Sequence, residues 1–359
     1  MFQKKLLTWY EEFGRKLPWR ETNNPYYIET NNPYYIWLSE IIMQQTRIEQ
    51  GLAYYERFIK KYPTVKELAD ASEEDILKSW QGLGYYSRAR NLHTAAQQIM
   101  DNYNGNFPDT YEGILALKGV GRYTAAAIAS FAYGMDYPVI DGNVYRFISR
   151  FYGIYTPIGT EQAYKEFEKI LMRLIDKEHP GQFNQAMMDF GSTWCKPTGY
   201  DCNNCIFNEE CEAHQKGKVD LLPVKTKPTP IKKRYFYYFD IRWGCNEKYL
   251  LVKKRASGDI WQGLYDFPLY EPNSPIPEKR QKKQLLEILT SWFGDEPTVF
   301  ELGPVYEHKL THRTIIAHFI QAKYNDKPSK IPEKTQIIME SEVKTLPISR
   351  LIDRYLSKL

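Results

Sequence analysis

The stretch Leu117-Lys118-Gly119-Val120-Gly121 joins two short segments that the sequence predicts to be helical. Asp109 or Thr110 is a typical cap for the first segment, which is predicted to end at Gly119, and Tyr123–Ala132 is predicted to form the second. Glycines let a chain turn sharply and let its backbone approach a ligand closely. The amides of Gly119, Val120 and Gly121, with the N-terminus of the following helix, suit a phosphate, and the alternative is an ordinary turn between helices.

An aspartate follows the second segment, in Val139-Ile140-Asp141-Gly142-Asn143. Asp141 or Asn143 could cap the next helix, since both residue types accept hydrogen bonds from the first helical turn. A capping carboxylate stays ionised, so the same aspartate could also face positive charge that develops on a sugar. The sequence therefore predicts Asp141 as a cap that is compatible with catalysis.

Four cysteines, Cys195, Cys202, Cys205 and Cys211, have the spacing C-x6-C-x2-C-x5-C. The residues at the start of the chain lead us to expect no signal peptide, and the total of five cysteines is odd; both points argue against disulfides. Zinc and a [4Fe–4S] cluster both suit four thiolates, and spacing alone leaves the two open. Cys245 lies far from this group and is expected to be a small buried side chain.

Glu40 lies on a predicted helix among apolar residues. The residues Trp37, Leu38, Ile41, Ile42, Gln45, Ile48, Leu52, Tyr55 and Phe58 recur at helical spacing and predict one helix. Burial raises the pKa of a carboxyl group, which would let Glu40 donate a proton, although a solvated helical glutamate is the commoner case.

An octapeptide is repeated without change at 21–28 and 29–36. Its period is too short for a solenoid. Proline inside a helix costs about 3 kcal/mol. We therefore expect Asn32 and Pro33 of the second copy to start the helix, and the extra length to loop out.

The chain has 359 residues, a formal charge of +4 and 29 tyrosines, which is compatible with two or three domains and with base stacking. No apolar run is long enough to span a membrane. Residues 1–215 are predicted to be helical, 216–233 to be an extended Pro/Lys linker, and 234–359 to be an α+β domain. Within that domain the sequence predicts strands at 234–243, 249–253 and 312–323, a turn at Asn246 and Glu247, and a helix at 278–293.

Several motifs together resemble the MutY family of adenine DNA glycosylases, in the helix-hairpin-helix superfamily of endonuclease III. They are Leu17-Pro18-Trp19-Arg20, the stretch Trp37–Thr46, Gly82-Leu83-Gly84-Tyr85-Tyr86, Gly119–Ala125, Asp141–Val144 and Phe183–Asp189. The resemblance covers nearly the whole chain. It implies an all-α glycosylase core over 1–215 with its helix-hairpin-helix motif near 109–132, an iron–sulfur region at 195–211 with a [4Fe–4S] cluster, and a C-terminal Nudix-like domain.

The resemblance also implies roles for single residues. Glu40 would protonate adenine, and Asp141, helped by Asn143, would stabilise the cationic sugar. Tyr123 stands where lyases of the superfamily have lysine, and tyrosine cannot form a Schiff base, so the enzyme is expected to be monofunctional. The resemblance places Arg15, Trp19, Arg20, Met43 and Gln185 in the adenine pocket, Gln45 and Tyr85 as wedges in the duplex, and Gly119, Val120 and Gly121 on a phosphate.

The C-terminal module is expected to read 8-oxoguanine and not to hydrolyse nucleotides, because the acidic cluster of active Nudix enzymes is absent. Thr311 and His312 occupy the lesion-reading loop, where Leu310 replaces the phenylalanine of many relatives. The expected partner is double-stranded DNA with an A:8-oxoguanine or A:G mispair, bound by a cytoplasmic, nucleoid-associated monomer. The alternatives are a glycosylase for oxidised pyrimidines and a lesion-binding protein that the duplication has inactivated.

Overall fold

Contacts group the chain into two units in the computed structural model, which describes residues 2–17, 31–226, 230–244 and 248–358. The helical unit comprises Met1–Asp70 and Asn91–Lys227, and the sheet unit comprises Ala71–Arg90 and Pro228–Leu359. The domain bounds 1–215 and 234–359 stay a prediction. The contacts place residues 71–90 with the sheet unit, which the sequence did not suggest.

The helical unit is built around a core of aromatic side chains, in which Phe147, Phe190 and Phe207 are almost completely buried. Helices within the described ranges lack the combined length and apolar character that a membrane span requires. In chain order the helices of this unit are α1 (Phe2–Phe13), α2 (Pro33–Met43), α3 (Ile48–Lys61), α4 (Val65–Asp70), α6 (Ser87–Tyr103, which begins in the sheet unit), α7 (Tyr111–Leu115), α8 (Arg122–Tyr133), α9 (Gly142–Tyr152), α10 (Glu161–Leu174), α11 (Pro180–Asp189) and α12 (Glu212–Gln215); α5 (Glu73–Trp80) belongs to the sheet unit.

The second octapeptide copy starts α2, as predicted. The side chain of Asn32 accepts a hydrogen bond from Tyr34 N at 2.9 Å, and Pro33 occupies the first helical position. Proline fits there because its missing N–H has no partner within a helix anyway. The first copy, the predicted loop and the motif residues Trp19 and Arg20 lie outside the described residues.

The prediction of one helix from Trp37 to Phe58 is wrong. Helix α2 ends at Met43 and α3 begins at Ile48, while Gln45 between them has a φ of 53°. A left-handed residue cannot continue a right-handed helix. The helical spacing of apolar residues persists across the break because both helices bury a face in the protein interior.

The turn after α7 is longer than predicted. Helix α7 is capped by Thr110, whose hydroxyl accepts from Gly113 N, but it ends at Leu115 and not at Gly119. Helix α8 then begins at Arg122, one residue before the predicted start. Gly119 has a φ of 78°, a left-handed conformation that favours glycine. A Cβ at this position would also come within 2.6 Å of Asn91 Cβ, so both the backbone and the available space require glycine.

The sheet unit contains a mixed sheet in the order β3-β2-β1-β6-β5, with β4 paired to β1 and β7 to β2. Strands β1 and β6 are parallel, and every other pair is antiparallel. The elements are β1 (Lys232–Trp243), β2 (Tyr249–Lys254), β3 (Tyr265–Asp266), β4 (Leu269–Tyr270), α13 (Glu278–Phe293), β5 (Val299–Lys309), β6 (Arg313–Tyr324), β7 (Thr335–Met339) and α14 (Arg350–Leu356).

One helix covers each face of this sheet. Successive strand residues point to opposite faces, so Tyr237 of β1 packs with Leu285 of α13, whereas Tyr238 packs with Tyr355 of α14.

The predicted helix at 278–293 is confirmed, and the predicted strands agree with β1, β2 and β6 to within two residues. Asn246 and Glu247 of the predicted turn, and Cys245, lie outside the described residues.

The extended linker predicted at 216–233 is only partly correct. Val219–Leu221 forms a 3-10 turn, and Val219 and Leu222 are buried against Ala213. Arg150 Nε donates to the carbonyl oxygens of Val219 and Leu222, both at 3.1 Å. Because these carbonyls are held from within the helical unit, the first part of the segment belongs to that unit's packing.

Candidate active site and cysteine cluster

Glu40 and Tyr123 lie on neighbouring helices and contact each other. Glu40 is half-buried on α2 between the buried Ser39 and Ile41. Tyr123, near the start of α8, donates its hydroxyl to Glu40 Oε2 at 2.8 Å and also lies 3.7 Å from Met188 Sδ of α11. The phenol therefore orients the carboxyl group and ties it to a third helix.

Asp141 caps α9, as predicted. Its Oδ1 accepts from the amides of Asn143 and Val144 at 2.9 and 2.7 Å, and its Oδ2 accepts from Asn143 Nδ2 at 2.7 Å. Burial raises the pKa of Asp141, and the hydrogen bonds from Val144 and Asn143 act against that rise. The carboxylate is thus fixed in orientation and partly shielded from water.

A buried asparagine holds the segment that leads to Asp141. Asn184 of α11 accepts from Val139 N at 3.0 Å and donates to Ser130 Oγ and to Tyr137 O at 2.9 and 2.8 Å. A single amide side chain therefore joins α8, α11 and the segment from Tyr137 to Val139 that leads to α9. Its role was not predicted, because a lone polar residue on a buried helix leaves no periodic signal.

A second buried side chain brings two predicted pocket residues together. Asp189, at the end of α11, is completely buried. It accepts from Arg15 N and from the Arg15 guanidinium, with Nη2 at 2.6 Å, and from Gln185 Nε2 at 2.9 Å. The structure thus places Arg15 beside Gln185.

Met43, another predicted pocket residue, is the last residue of α2. Its Sδ would lie 2.3 Å from a Cβ added at Gly51, so the side chain is closely packed against the start of α3.

A chain of polar contacts runs from Asp141 toward the first cysteine. Asn143, which donates to Asp141, accepts from Arg146 Nη2 at 2.9 Å through its own Oδ1. Arg146 also donates to Gly191 O and, through Nε at 2.8 Å, to Cys195 O. Arg146 lies three residues after Asn143, on the same side of α9, and this spacing is the sequence signal that could have identified it.

The four cysteines surround one cavity, together with Arg150 and several aromatic residues. None forms a disulfide, and Arg150 Nη1 lies 3.4 Å from Cys195 Sγ. Burial raises the pKa of Cys205 to about 12 and that of Cys202 and Cys211 above the usual thiol value. Thiolates at this place need positive charge beside them, which Arg150 and a metal centre would supply.

The described residues include no group of three or more Cys, His, Asp or Glu side chains arranged to hold a single metal ion. Four thiols around one cavity are the donor set that a [4Fe–4S] cluster needs, and the same four donors also suit zinc.

The glycine turn offers fewer free amides than predicted. Val120 N donates to Leu117 O at 3.1 Å, so this amide is already used inside the turn. Gly121 is the N-cap residue of α8, and apart from its own chain neighbours no described residue comes within 4 Å of a Cβ placed there. The N-terminus of α8 at Gly121 is the part of the turn that is open to an anion.

In the sheet unit, Tyr85 and Thr311 contact each other. Thr311 and His312 are exposed and form the turn between β5 and β6, closed by a 2.8 Å hydrogen bond from Leu310 N to Arg313 O. The hydroxyls of Tyr85 and Thr311 are 2.6 Å apart, and Tyr85 has a φ of 48°. Non-glycine residues in this strained conformation concentrate at functional sites.

These residues line a cleft of about 710 Å³ within the sheet unit. Trp261, which has a φ of 59°, and the cations Arg90, Arg313 and Arg350 also line it. None of the four was predicted as a site residue. The sequence alone could not group these four residues, because they come from segments far apart in the chain and meet only in the folded structure.

Comparisons with known families match both parts of the chain. Residues 38–175 match the HhH-GPD superfamily base excision DNA repair protein family, and residues 241–358 match the NUDIX domain family. The predicted fold class is therefore confirmed. A thermostable thymine-DNA glycosylase structure superposes with a TM-score of 0.54 at 27% identity, over 60% of this chain and 95% of that chain. An endonuclease III–DNA complex, at 23% identity and a TM-score of 0.51 over 60% of this chain and 94% of that chain, shows the same helical fold.

Curated relatives extend over most of the chain. The adenine DNA glycosylase of Buchnera aphidicola subsp. Acyrthosiphon pisum is 33% identical over 298 residues, which is 82% of each chain. That of Rattus norvegicus is 38% identical over 361 residues, covering 87% of this chain and 69% of the relative. With identity at this level over both domains, the chain belongs to the adenine DNA glycosylase family.

Proposed function

We propose that this enzyme removes adenine from duplex DNA where adenine lies opposite 8-oxoguanine or guanine, and that hydrolysis leaves an abasic site. The observation that carries the proposal is the pair of oriented carboxyl groups in the helical unit, Glu40 held by Tyr123 and Asp141 held by the start of α9. Glycosidic bonds are cut by such pairs, one acting as an acid and the other stabilising a cationic sugar.

Glu40 is the proposed general acid. Adenine leaves readily only when it is protonated, and a half-buried carboxyl group can keep a proton available for a flipped base. Tyr123 donates to Oε2, which fixes the plane of the carboxyl group. The proton that moves to adenine then comes from a side chain whose orientation is set before the base arrives.

Asp141 is the proposed stabiliser of the sugar cation. Three hydrogen bonds to its oxygens favour the ionised form against the effect of burial. A carboxylate held in place by a helix start has little to reorganise when positive charge develops nearby. Asn143 acts with Asp141, because its amide donates to one oxygen and its carbonyl oxygen is fixed by Arg146.

Tyr123 also bears on the outcome of the reaction. A phenol cannot form the Schiff base through which lyases cleave the strand, so the enzyme is proposed to be monofunctional. Borohydride should then trap no covalent protein–DNA adduct, and strand breaks should require alkali. Efficient trapping with the wild-type enzyme would reveal an amine nucleophile and contradict this proposal.

The proposed cofactor is a [4Fe–4S] cluster held by Cys195, Cys202, Cys205 and Cys211. When bound, such a cluster cross-links its four ligands and fixes the loop that carries them. Arg146 would then anchor α9 to this loop through Cys195 O. Anaerobically purified protein should be brown and contain about four irons per chain. Stoichiometric zinc without iron would overturn the assignment.

The proposed lesion reader is the β5–β6 turn with Thr311 and His312, next to Tyr85. We further propose that Gln45 and Tyr85 enter the base stack, that Arg15, Met43 and Gln185 surround the flipped adenine, and that the protein acts as a cytoplasmic monomer on chromosomal DNA. Gln45 and Tyr85 both have a left-handed backbone and are exposed, which suits side chains that meet the duplex.

A single-turnover assay tests the activity. Duplexes with A:8-oxoguanine, A:G, A:T and an oxidised pyrimidine are incubated with excess enzyme and then treated with alkali. Release of adenine from the two mispairs, with A:T untouched, supports the proposal. Preference for the oxidised pyrimidine would favour the alternative glycosylase, and tight binding of A:8-oxoguanine without release would mean a lesion-binding protein.

A further inference from the structure

Helix α14 presents a row of cations that the proposed site does not use. Arg350 and Arg354 of α14, and Lys358 in the turn just after the helix ends at Leu356, are all exposed and recur every fourth residue. Positions four apart lie on the same side of a helix. On the opposite side Leu351, Ile352 and Tyr355 are buried in the core below the sheet. We call Arg350, Arg354 and Lys358 the α14 ridge.

Two of the three cations of the ridge, Arg354 and Lys358, have no carboxylate partner among the described residues. Arg350 pairs with Asp353 at 2.5 Å, but within the described part of the chain no carboxylate lies within 4 Å of the amino or guanidinium nitrogens of Arg354 or Lys358. Both lie over the ring of Tyr306, at 4.8 and 5.5 Å from its centre. Like charges four residues apart repel each other, and an anion between them would relieve the repulsion.

The ridge is continuous with the lesion-reading cleft. Arg350 lines the cleft that also contains Tyr85 and Thr311. His308, another residue of the cleft, has a pKa lowered by burial and by the positive charge of Arg354. The positive potential of the ridge therefore reaches the cleft wall. An extended anion such as a DNA strand that runs from the cleft along α14 could therefore contact Arg350, Arg354 and Lys358 in turn.

A second basic surface in the same unit makes a useful contrast. Helix α13 exposes Lys279, Arg280, Lys282 and Lys283, but it packs on the other face of the sheet. The cleft receives Arg350 from α14 and no residue from α13. Of the two surfaces, only the α14 ridge is connected to the place where the lesion is proposed to lie.

We propose that the α14 ridge binds the phosphate backbone of duplex DNA that flanks the mispair, adjoining the Thr311 turn. This inference rests on the proposed function. From Arg350 to Arg354 the helix rises by about 6 Å, and phosphates of one strand follow each other every ~3.4 Å along the duplex axis. The ridge can thus meet two or more consecutive phosphates, which would fix position without reading sequence.

The test measures how salt affects binding to a duplex with a tetrahydrofuran abasic analogue opposite 8-oxoguanine, which holds no adenine to remove. The double variant Arg354→Glu/Lys358→Glu is compared with wild type between 50 and 200 mM salt. For B-DNA the slope of log K against log salt is negative, and each lost phosphate contact makes it less steep by about 0.9, so the loss of two contacts reduces its magnitude by about 1.8. The variant Lys279→Glu/Lys283→Glu on α13 has the same spacing and charge change, and its slope should stay within half a unit of wild type.

An unchanged slope in the α14 variant, or an equal loss in the α13 variant, would overturn the inference. If thermal melting shows that the glutamate variant is unfolded, Arg354→Gln/Lys358→Gln is measured in its place, with the same expected loss. Wild-type adenine release is assayed in parallel. Failure there contradicts the proposed function, whereas normal release with an unaffected slope contradicts the ridge alone.

Discussion

The chemistry proposed for this enzyme rests on a few polar side chains that their hydrogen-bond partners hold in place within the protein. Tyr123 donates to Glu40, and the first turn of α9 donates to Asp141. Ser39 and Ile41 beside Glu40 are buried, as are Ile140 and Val144 beside Asp141, so water competes less well for these hydrogen-bonding groups. Substitutions at these positions should separate catalysis from folding and from binding.

Glu40→Gln should abolish adenine release while keeping affinity for the duplex. The amide has the size of the acid but cannot give up a proton, and general acid catalysis contributes typically about 100- to 10,000-fold. We expect the single-turnover rate on A:8-oxoguanine to fall by at least about 100-fold. Tyr123→Phe is the matched control. It removes one hydrogen bond but no proton donor, so its rate should fall only about 2- to 13-fold. Near-normal release by Glu40→Gln would mean that another group is the acid.

Asn184→Ala should destabilise the helical unit. The substitution leaves Val139 N, Ser130 Oγ and Tyr137 O without their partner in a buried place. An unsatisfied buried group costs about 1–3 kcal/mol, so the free energy of unfolding should fall by at least about 2 kcal/mol in urea denaturation. The exposed Asn106→Ala should change it by less than about 0.5 kcal/mol. Similar values for both variants would show that the Asn184 contacts add nothing.

Elements with strong local signals were predictable, and those without them were not. The helix at 278–293 has a regular apolar side, and the Asn32-Pro33 pair starts α2 at the predicted residue. The break at Gln45 was missed because it leaves apolar spacing intact, and only its left-handed backbone marks it. Strand β5 was missed because it exposes Leu302 and Val305 and bulges between them, so it does not alternate.

The candidate site was predictable to the extent that its residues lie within short motifs. Glu40, Asp141 and the four cysteines follow from resemblance and spacing, although their roles remain predictions. Asp189 and Asn184 lie within the motif Phe183–Asp189, but the sequence predicted no function for either, because their contacts join residues far apart in the chain. Sequence patterns indicate which side is buried, but they do not indicate which buried polar group finds which partner.

The β5–β6 turn is the element whose chemistry should decide lesion preference. A well-formed polar contact to a base is worth about 1–3 kcal/mol of discrimination. Thr311→Ala should therefore lower the preference for A:8-oxoguanine over A:G by roughly 5- to 100-fold. Release from A:G should fall much less, since the proposed acid lies in the helical unit. Equal losses on both duplexes, measured by single-turnover rates, would mean that the turn only holds DNA.

The molecule as a whole must also accommodate a duplicated octapeptide ahead of α2. The second copy supplies the helix start through Asn32. Loop closure costs grow slowly with length, by about 0.6 kcal/mol per doubling, so eight extra residues should be tolerated. Because only one copy can start α2, equivalent residues in the two copies should contribute unequally to the stability of the protein.

Asn32→Ala should therefore destabilise the protein by about 0.5–2 kcal/mol, the usual cost of losing a helix cap. Asn24→Ala, the same substitution in the first copy, should have almost no effect. Thermal melting of the two variants and wild type provides the comparison. If Asn24→Ala proved as costly as Asn32→Ala, the first copy would have a structural role of its own.

The composition of the sheet unit has a consequence for how the chain is made. Residues 71–90 belong with strands that are synthesised only after residues 91–227. At about 5–20 residues per second, a ribosome needs roughly 7–28 s for that intervening stretch. During this delay α5 has none of its sheet partners, and the parallel pairing of β1 with β6 adds a further late step. For many seconds the nascent chain therefore holds Lys78 and Tyr86 without the carbonyl oxygens of Leu346 and Ile348, to which they donate in the folded protein, so residues 71–90 reach these contacts late.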